Sequence, residues 1–307
     1  MALIKIDLRD YRPFNLKLCL DSGQIFGWKN FGKKWYGFLN KVPVCVSQEE
    51  NRLTVESNKS ITEDDIIYFF NLDEDVDKIN GKISVNDFME KAIELYSGIR
   101  VLRQDPVETI IEFVCAQNKN IPAIQNTITE LSKKYGEKAE INGIAFYGKP
   151  DIRKIARSKL SEILETGIGY RAKYLLSTAK KIAEDSAYID KIRGMEYFSA
   201  LNAITSGKMK LYGVGLKVAD CILLYGFYKL EAFPIDVWIL RAYPYALKGF
   251  YDENLLSSNG SRKTKLGRKE YLLMGDVARK VFGKYAGYAQ LYIYLASRSL
   301  FRESKKF

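Results

Sequence analysis

Alternation of hydrophobic and polar residues predicts strands near the start of the chain. The segments WYGFLNKVPVCVSQ (35–48) and NRLTVES (51–57) alternate and are rich in aromatic and β-branched residues, as half-buried strands are. GKKW and EENR are the turns expected beside them. Thr62 then precedes EDDIIYFFNL, which predicts a helix with acidic residues in its first turn.

From about residue 84 the spacing of apolar residues becomes helical. Asp105-Pro106-Val107-Glu108 has the composition of a capping box, with Asp as N-cap, Pro at N1 and Glu at N3. The apolar stretch TIIEFVCAQ after it predicts a buried helix. Further helices are predicted at 120–135, 151–165, 171–185, 196–206, 215–227, 237–247, 268–282 and 286–301.

Composition limits the chemistry that this chain can perform. Its 307 residues predict about two domains. The chain has no histidine, which excludes Ser-His-Asp and Cys-His catalysis and every histidine-based metal site. Cys19, Cys45, Cys115 and Cys221 form no CxxC pair, so we expect reduced thiols and no metal site. Chemistry must therefore come from Lys, Asp, Glu, Ser, Thr, Tyr or Cys.

The positive charge lies in the later two thirds of the chain. Residues 1–100 carry 14 Lys/Arg and 16 Asp/Glu, whereas residues 101–307 carry 34 and 21. This basic part fits either a polyanion, most simply nucleic acid, or a solvated lysine-rich surface. The segment SSNGSRKTKLGRK (257–269) has five basic residues and no acids, and we expect a mobile loop that is either solvated or in contact with phosphate.

No segment predicts membrane insertion or export. No apolar run approaches the roughly 18 residues that span a bilayer, and MALIKIDLRDYRPF lacks the apolar core of a signal peptide. We therefore expect an intracellular protein without a membrane partner.

Residues 208–241, KMKLYGVGLKVADCILLYGFYKLEAFPIDVWILR, carry the candidate chemistry. We predict a helix that ends near Met209, a tight LYGVG turn, and a second helix that begins near Gly215. Gly213 and Gly215 would let the backbone turn sharply, and the N–H groups at the start of the second helix could hold a phosphate. Such a helix-hairpin-helix in a basic chain indicates nucleic-acid binding, although GVG alone is usually only a turn.

Lys217 and Asp236 are the candidate catalytic residues. Lys217 falls in the first turn of the second helix, where the helix dipole should lower the pKa of its ammonium group, and a neutral amine can form a Schiff base. Asp236 is placed as the N-cap of the next helix, from where its carboxylate could enter a cleft beside Lys217. The simpler alternatives are an exposed lysine and a carboxylate that only caps.

GVGLKVADC followed by FPIDVW resembles the helix-hairpin-helix glycosylases of DNA base-excision repair, and most closely the 8-oxoguanine DNA glycosylases. Four further segments resemble that family in the same order: SGQIFGW (22–28), RQDPVETIIEFVCAQNKNI (103–121), GIGYRAKY (167–174) and AGYAQLYIY (286–294). The resemblance thus covers roughly residues 22–298. It implies that Lys217 and Asp236 form the catalytic pair.

The resemblance also implies a pocket for the flipped base. Gly23 would accept, through its carbonyl, the N7–H of the oxidised base, and Gln290 would contact the Watson–Crick edge. Cys221 and Tyr294 would sandwich the ring. Trp238 stands where the family has a pocket histidine. Without the resemblance, a turn glycine and core side chains would be the ordinary interpretations.

Other residues would contact the DNA itself. Asn118 would fill the gap left by the flipped base, flanked by Lys119 and Asn120, while Tyr170 and Arg171 would press on the base stack and the orphaned cytosine. Gly213 and Gly215 would bring the hairpin to the phosphates. Without the resemblance, Asn118 and Arg171 would be placed in solvent.

The chain also departs from the family pattern. Lys119 replaces a frequent Asn, Ala123 replaces an Arg that contacts the cytosine opposite the lesion, and Tyr294 replaces a Phe. We therefore expect looser discrimination of the opposite base, with the chemistry retained.

The implied fold class is α+β, with an N-terminal antiparallel-sheet domain (1–95) packed on a two-lobed, mainly helical glycosylase core (96–307). One lobe would span 121–236 and carry the hairpin, and the other would combine 96–120 with 237–307. Gly23 would then lie near Gln290.

The implied activity is that of a bifunctional glycosylase and AP lyase on duplex DNA containing 8-oxoguanine opposite cytosine. No redox or organic cofactor is needed, and a monovalent or divalent cation at the hairpin carbonyls could help to hold a phosphate. We expect a monomer located with the DNA, in the cytoplasm or nucleoid, or in a nucleus.

Two alternatives stay open. An endonuclease III-like glycosylase often has a four-cysteine cluster, whereas only Cys221 follows Cys115 here. A non-catalytic helix-hairpin-helix module would need no base pocket, and replacing Lys217 would then change affinity alone.

Overall fold

The chain begins with a five-stranded antiparallel sheet in a computed structural model that describes residues 2–251 and 266–303. The strands are β1 Ala2–Asp7, β2 Lys29–Phe31, β3 Lys34–Leu39, β4 Val42–Glu49 and β5 Arg52–Ser57, in the order β1-β5-β4-β3-β2. Asn40 and Lys41 connect β3 to β4 with φ angles of 47° and 66°, as a two-residue hairpin turn requires. The predicted strands are confirmed, whereas β1 and β2 were not predicted.

Helices make up most of the chain that follows. They are α1 Leu16–Asp21, α2 Glu63–Phe70, α3 Val76–Ile83, α4 Asp87–Leu95, α5 Pro106–Ala116, α6 Ile121–Tyr135, α7 Ile152–Arg157, α8 Leu160–Leu164, α9 Arg171–Glu184, α10 Tyr188–Arg193, α11 Tyr197–Thr205, α12 Leu216–Phe227, α13 Val237–Ala246, α14 Arg268–Phe282 and α15 Ala286–Glu303. Short 3-10 turns occur at Leu8–Tyr11 and Gly283–Tyr285. The fold class is therefore α+β, as predicted.

The helix predictions differ from the structure in a few places. The helix predicted at 151–165 is two helices, α7 and α8, because the backbone is extended at Ser158 and Lys159. Asp105 caps α5 as predicted, but within the described residues the Glu108 carboxylate returns no hydrogen bond, so no capping box forms. A small hairpin of β6 Lys138–Ile141 and β7 Ile144–Tyr147 was not predicted.

The hairpin between α11 and α12 is longer than predicted, since α11 ends at Thr205 rather than near Met209. Residues 257–265 of the predicted loop lie outside the described residues. Arg268 and Lys269, at its end, lie instead in α14, where the helix prediction of 268–282 places them.

Packing brings elements that are distant in sequence together around the hairpin helix. Helix α12 packs against α5 and α11, whereas α15 packs against α13, α14 and α4. One hydrophobic core runs through the sheet domain and the helices. The domain and lobe boundaries stay predictions. Within the described residues no helix is long and apolar enough to cross a membrane.

Candidate active site

A cleft of about 880 Å³ brings most of the predicted site residues together. Its walls come from the 22–26 segment, the loop between α5 and α6, the hairpin with α12, residues 234–238, the start of α14, and α15. Twelve of the predicted residues line it: Gly23, Asn118, Lys119, Asn120, Gly213, Gly215, Lys217, Cys221, Asp236, Trp238, Gln290 and Tyr294. Tyr170 and Arg171 lie outside this lining.

The hairpin presents the start of α12 to the cleft. Gly213 has a φ of +78°, and a Cβ there would lie 2.5 Å from Cγ of Tyr174, so only glycine fits this turn. Gly215 is the N-cap of α12 and makes no side-chain cap. The first N–H groups of α12 are therefore suited to an anion such as a phosphate.

Lys217 lies in the first turn of α12 and is partly buried. Its Nζ is 5.8 Å from the centre of the Phe113 ring, a cation–π contact. Burial disfavours the ammonium, but its electrostatic interactions with the ionisable groups of Cys221, Asp236 and Tyr294 outweigh burial and raise the pKa of Lys217 above its ordinary value. The predicted lowering of this pKa is therefore wrong, because the helix-dipole argument did not include acidic neighbours from other parts of the chain.

Asp236 is the N-cap of α13, as predicted. Its Oδ1 accepts the N–H groups of Trp238 at 2.9 Å and Ile239 at 3.0 Å. Within the described residues, hydrogen bonds to this carboxylate go to Oδ1 alone. Because Asp236 helps to raise the pKa of Lys217, its negative charge acts on the lysine across the cleft.

Cys221, Gln290 and Tyr294, the residues predicted to form the base pocket, all line the cleft. Burial raises the pKa of the Cys221 thiol to about 11, and burial also raises the pKa of Tyr294, so both are neutral near pH 7. Gln290 is buried and its Nε2 donates to the carbonyl of Pro234 at 3.0 Å. Its Oε1 is buried without a partner in the described part of the chain. Such an acceptor is costly to leave unpaired, and it is available to a donor on a ligand.

Gly23 lines the cleft close to Tyr294, and its neighbour Gln24 is anchored to the backbone. The Gln24 amide donates to the carbonyl of Arg100 at 2.9 Å and accepts the N–H of Leu102 at 2.9 Å. Gly23 itself has a φ of +86°, and a Cβ there would lie 3.0 Å from Cδ1 of Ile121 and 3.7 Å from the Tyr294 hydroxyl. The backbone of Gly23 thus faces the cleft directly, at a position where any larger residue would be strained and crowded by Ile121.

Asn118, Tyr170 and Arg171 form a connected group at the edge of the cleft. Asn118 is exposed with a φ of 51°, and its Nδ2 donates to the Tyr170 hydroxyl at 2.9 Å. Arg171 is buried and donates to the carbonyls of Gln117 and Asn118, with its guanidinium 4.3 Å from the Tyr170 ring centre. Arg171 therefore holds the loop of Asn118 in place. Because Arg171 is buried, the alternative in which it simply faces solvent is not observed. Its contact with a cytosine stays a prediction.

The residues that depart from the family pattern are also placed by the structure. Burial lowers the pKa of Lys119, whose ammonium donates to the Thr127 hydroxyl. Asn120 caps α6 by accepting the N–H of Ala123 at 3.0 Å. Trp238 lies at the rim with the Arg241 guanidinium 4.9 Å from its ring centre.

An aromatic group under Lys217 was not predicted. Phe113 stacks on Tyr225 with ring centres 5.6 Å apart and meets Phe26 edge-on at 6.3 Å, and all three line the cleft. Phe26 lies in the SGQIFGW segment, but Phe113 had only the pattern of a core residue. Within the described residues no cluster of three or more Cys, Asp or Glu could hold a metal.

The hairpin, the lysine at the start of its second helix and the capping aspartate line one cleft, which is the arrangement that the resemblance to the helix-hairpin-helix DNA glycosylases predicted. Residues 5–110 match the model of the 8-oxoguanine DNA glycosylase N-terminal domain. The N-glycosylase/DNA lyase of Saccharomyces cerevisiae is 32% identical over 207 residues, which cover 63% of this chain and 55% of that protein. The chain thus aligns with about half the length of the yeast relative.

Solved structures agree over nearly the whole chain. MBOgg1 in complex with a low-affinity DNA ligand has a TM-score of 0.83 at 29% identity and covers 98% of this chain and 97% of that one. The 8-oxoguanine glycosylase/lyase of Clostridium acetobutylicum, bound to duplex DNA with cytosine opposite 8-oxoguanine, has a TM-score of 0.80 at 28% identity and covers 94% and 93%. The chain is thus similar to an 8-oxoguanine glycosylase/lyase over nearly its whole length, and its first third matches the N-terminal domain of that family.

Proposed function

We propose that this protein is a bifunctional DNA glycosylase and AP lyase that removes 8-oxoguanine from duplex DNA. The observation that carries the proposal is the meeting of Lys217 and Asp236 in one cleft whose pocket wall holds the unpaired Oε1 of Gln290. A backbone-binding module needs none of these three groups. The relatives named N-glycosylase/DNA lyase support both activities.

The mechanism follows from the charges of the pair. The target nucleotide leaves the base stack and enters the pocket between Cys221 and Tyr294. The Asp236 carboxylate stabilises the positive charge that develops on the sugar as the glycosidic bond breaks. Lys217 then forms a bond to C1′, a Schiff base follows, and β-elimination breaks the strand on the 3′ side.

Lys217 must lose a proton before it attacks, because its raised pKa keeps it an ammonium ion at neutral pH. The burial that surrounds the group makes a neutral amine easier to tolerate once the proton has left. We therefore expect the rate of Schiff-base formation to rise with pH above neutrality.

The partner is double-stranded DNA with 8-oxoguanine opposite cytosine, as bound by the Clostridium acetobutylicum relative. The chemistry requires no redox or organic cofactor, and a cation at the hairpin carbonyls stays a prediction, as does a monomeric state. We place the protein with the cell's DNA, in the cytoplasm or nucleoid, or in a nucleus.

Borohydride trapping on a duplex with one 8-oxoguanine opposite cytosine tests the proposal. Wild type should form a covalent protein–DNA band that Lys217→Gln abolishes. Lys208→Gln is the matched control, because Lys208 is an exposed lysine of the same hairpin outside the cleft lining, and it should keep the band. Release of the base without a band would instead mean a monofunctional enzyme, and binding without either would mean a non-catalytic module.

A further inference from the structure

Buried hydrogen bonds at the wall of the cleft join the segment of Asp236 to the helix that carries Lys217. The Tyr271 hydroxyl donates to Oδ2 of Asp220 at 2.6 Å and accepts the N–H of Ile235 at 3.2 Å. Ile235 directly precedes Asp236, and Asp220 lies three residues after Lys217 on α12. One tyrosine from α14 therefore links the two sides of the catalytic pair.

The other oxygen of Asp220 is also held. The Tyr197 hydroxyl donates to Oδ1 at 2.7 Å, and NH1 of Arg279 donates to Tyr197 at 3.2 Å. Arg279 is itself paired with Asp276 through a contact of 2.7 Å. The Asp220 carboxylate thus has both oxygens occupied by phenols from two different helices, which fixes its orientation.

Stability alone is a poor reason for this arrangement. Asp220 is only 1% exposed, and within the described residues its hydrogen bonds come from tyrosines, not from a cation. A buried charge of this kind is often neutral or unfavourable for stability compared with well-packed apolar residues. The Asp220 carboxylate, whose two oxygens are both hydrogen-bonded, is however held in one geometry.

The segment before Asp236 is fixed at two successive residues. Gln290 donates to the Pro234 carbonyl at 3.0 Å, and Tyr271 accepts the Ile235 N–H. Because Asp236 follows at once, these two bonds set where α13 begins and where the carboxylate lies. The carbonyl of Pro234 is bound by a base-pocket residue, whereas the N–H of Ile235 is bound by Tyr271, whose hydroxyl is in turn oriented by Asp220.

We propose that Tyr271, acting through Asp220, is a positioning residue that sets the Asp236 carboxylate relative to Lys217. The inference rests on the proposed glycosylase function. Displacing a catalytic group by about 1 Å costs up to roughly 100-fold in rate, so loss of this bridge should slow chemistry while DNA affinity is kept.

Tyr271→Phe tests the inference because it removes one hydroxyl and keeps the ring. Tyr243→Phe is the matched control: Tyr243 is buried, and its hydroxyl links α13 to the Met274 carbonyl of α14 at 2.9 Å. The single-turnover excision rate of Tyr271→Phe should fall about 10- to 100-fold, with the Kd for lesion DNA within about twofold. Hydrogen exchange of the Ile235 amide should be faster in Tyr271→Phe than in wild type. Tyr243→Phe should lose a similar amount of Tm but excise at about the wild-type rate.

A double-mutant cycle separates positioning from direct contact with the substrate. If Tyr271 acts through Asp220, the double variant of Tyr271→Phe and Asp220→Asn should be no slower than the slower single variant, whereas independent roles would multiply. Three results would overturn this inference without touching the proposed function. They are an unchanged excision rate in Tyr271→Phe, a loss of rate that is matched by an equal weakening of DNA binding, and an equal loss of rate in Tyr243→Phe. An inert wild type would overturn the proposed function as well.

Discussion

Lys149 and Glu112 form a buried ion pair next to Phe26, one of the residues that line the cleft. The Lys149 ammonium contacts Oε1 of Glu112 on α5 and the carbonyl of Phe26, and the two side chains are 7% and 1% exposed. Oε2 of Glu112 has no partner within the described residues. Replacing Lys149 by Met would leave a buried carboxylate without its cation.

The expected cost can be worked out. Removing one partner of a buried ion pair destabilises by about 3–5 kcal/mol. Unfolding entropy is about 2.1 cal/mol/K per residue, so for 307 residues the Tm should fall by roughly 5–8 °C if the chain unfolds as one unit. Replacing both residues, Lys149→Met with Glu112→Met, should recover most of the loss, since an apolar pair of similar volume is often neutral or stabilising.

Urea unfolding and calorimetry of wild type, both single variants and the double variant measure this. Lys34→Met is the matched control, because the Lys34–Glu56 pair is 43% and 13% exposed, and a pair with an exposed member contributes about 1 kcal/mol or less. The reasoning is refuted if Lys149→Met costs no more than Lys34→Met, or if the double variant is as unstable as the single variants.

Three further predictions follow from the site. Burial raises the pKa of Asp220 from 3.8 to about 6, so the ionised carboxylate lowers the free energy of unfolding above pH 6 but not below pH 4. The stability of Asp220→Asn relative to wild type should therefore rise by up to about 3 kcal/mol between pH 4 and pH 7, measured by urea unfolding. No such rise would contradict this prediction. Gln290→Met removes both the unpaired Oε1 and the bond to Pro234, so stability should change by less than about 2 kcal/mol while excision falls about 100-fold; a large loss of stability with full excision would contradict this. Ala123→Arg should raise the ratio of excision opposite cytosine to excision opposite adenine, measured in single turnovers, and an unchanged ratio would show that this position does not contact the opposite base.

Local sequence patterns predicted the features that depend on neighbouring residues. The capping of α13 by Asp236 and of α5 by Asp105, and the turn at Gly213, each follow from residues within a few positions. Strands β3, β4 and β5 likewise have clear alternation and turns. Strand β1, by contrast, is an edge strand that pairs with β5, some 50 residues away in sequence, and its short alternating pattern gives no information about that partner.

Features that depend on distant residues were not accessible in this way. The pKa of Lys217 is set by groups on α12, α13 and α15, so the dipole of one helix gives the wrong direction. The roles of Phe113 and Tyr271 depend on contacts across the cleft, and both residues have the pattern of ordinary core positions. The burial of Arg171 was also not expected, because the carbonyls that accept its N–H groups belong to Gln117 and Asn118, which are distant in sequence.

Asp236 and Gln290 share one arrangement in the cleft. Each has one atom bound to backbone and another left toward the cleft: Asp236 binds helix N–H groups through Oδ1, and Gln290 binds the Pro234 carbonyl through Nε2 while Oε1 is unpaired. The bound atom fixes the direction of the other, so little reorganisation is needed when a charge or donor arrives. The same bonds converge on residues 234–236, so the group proposed to contact the base and the group proposed to stabilise the sugar are held by one short segment. In the proposed mechanism, a base that fits Gln290 would thereby be presented to Asp236 with its sugar in place, which would couple recognition to catalysis.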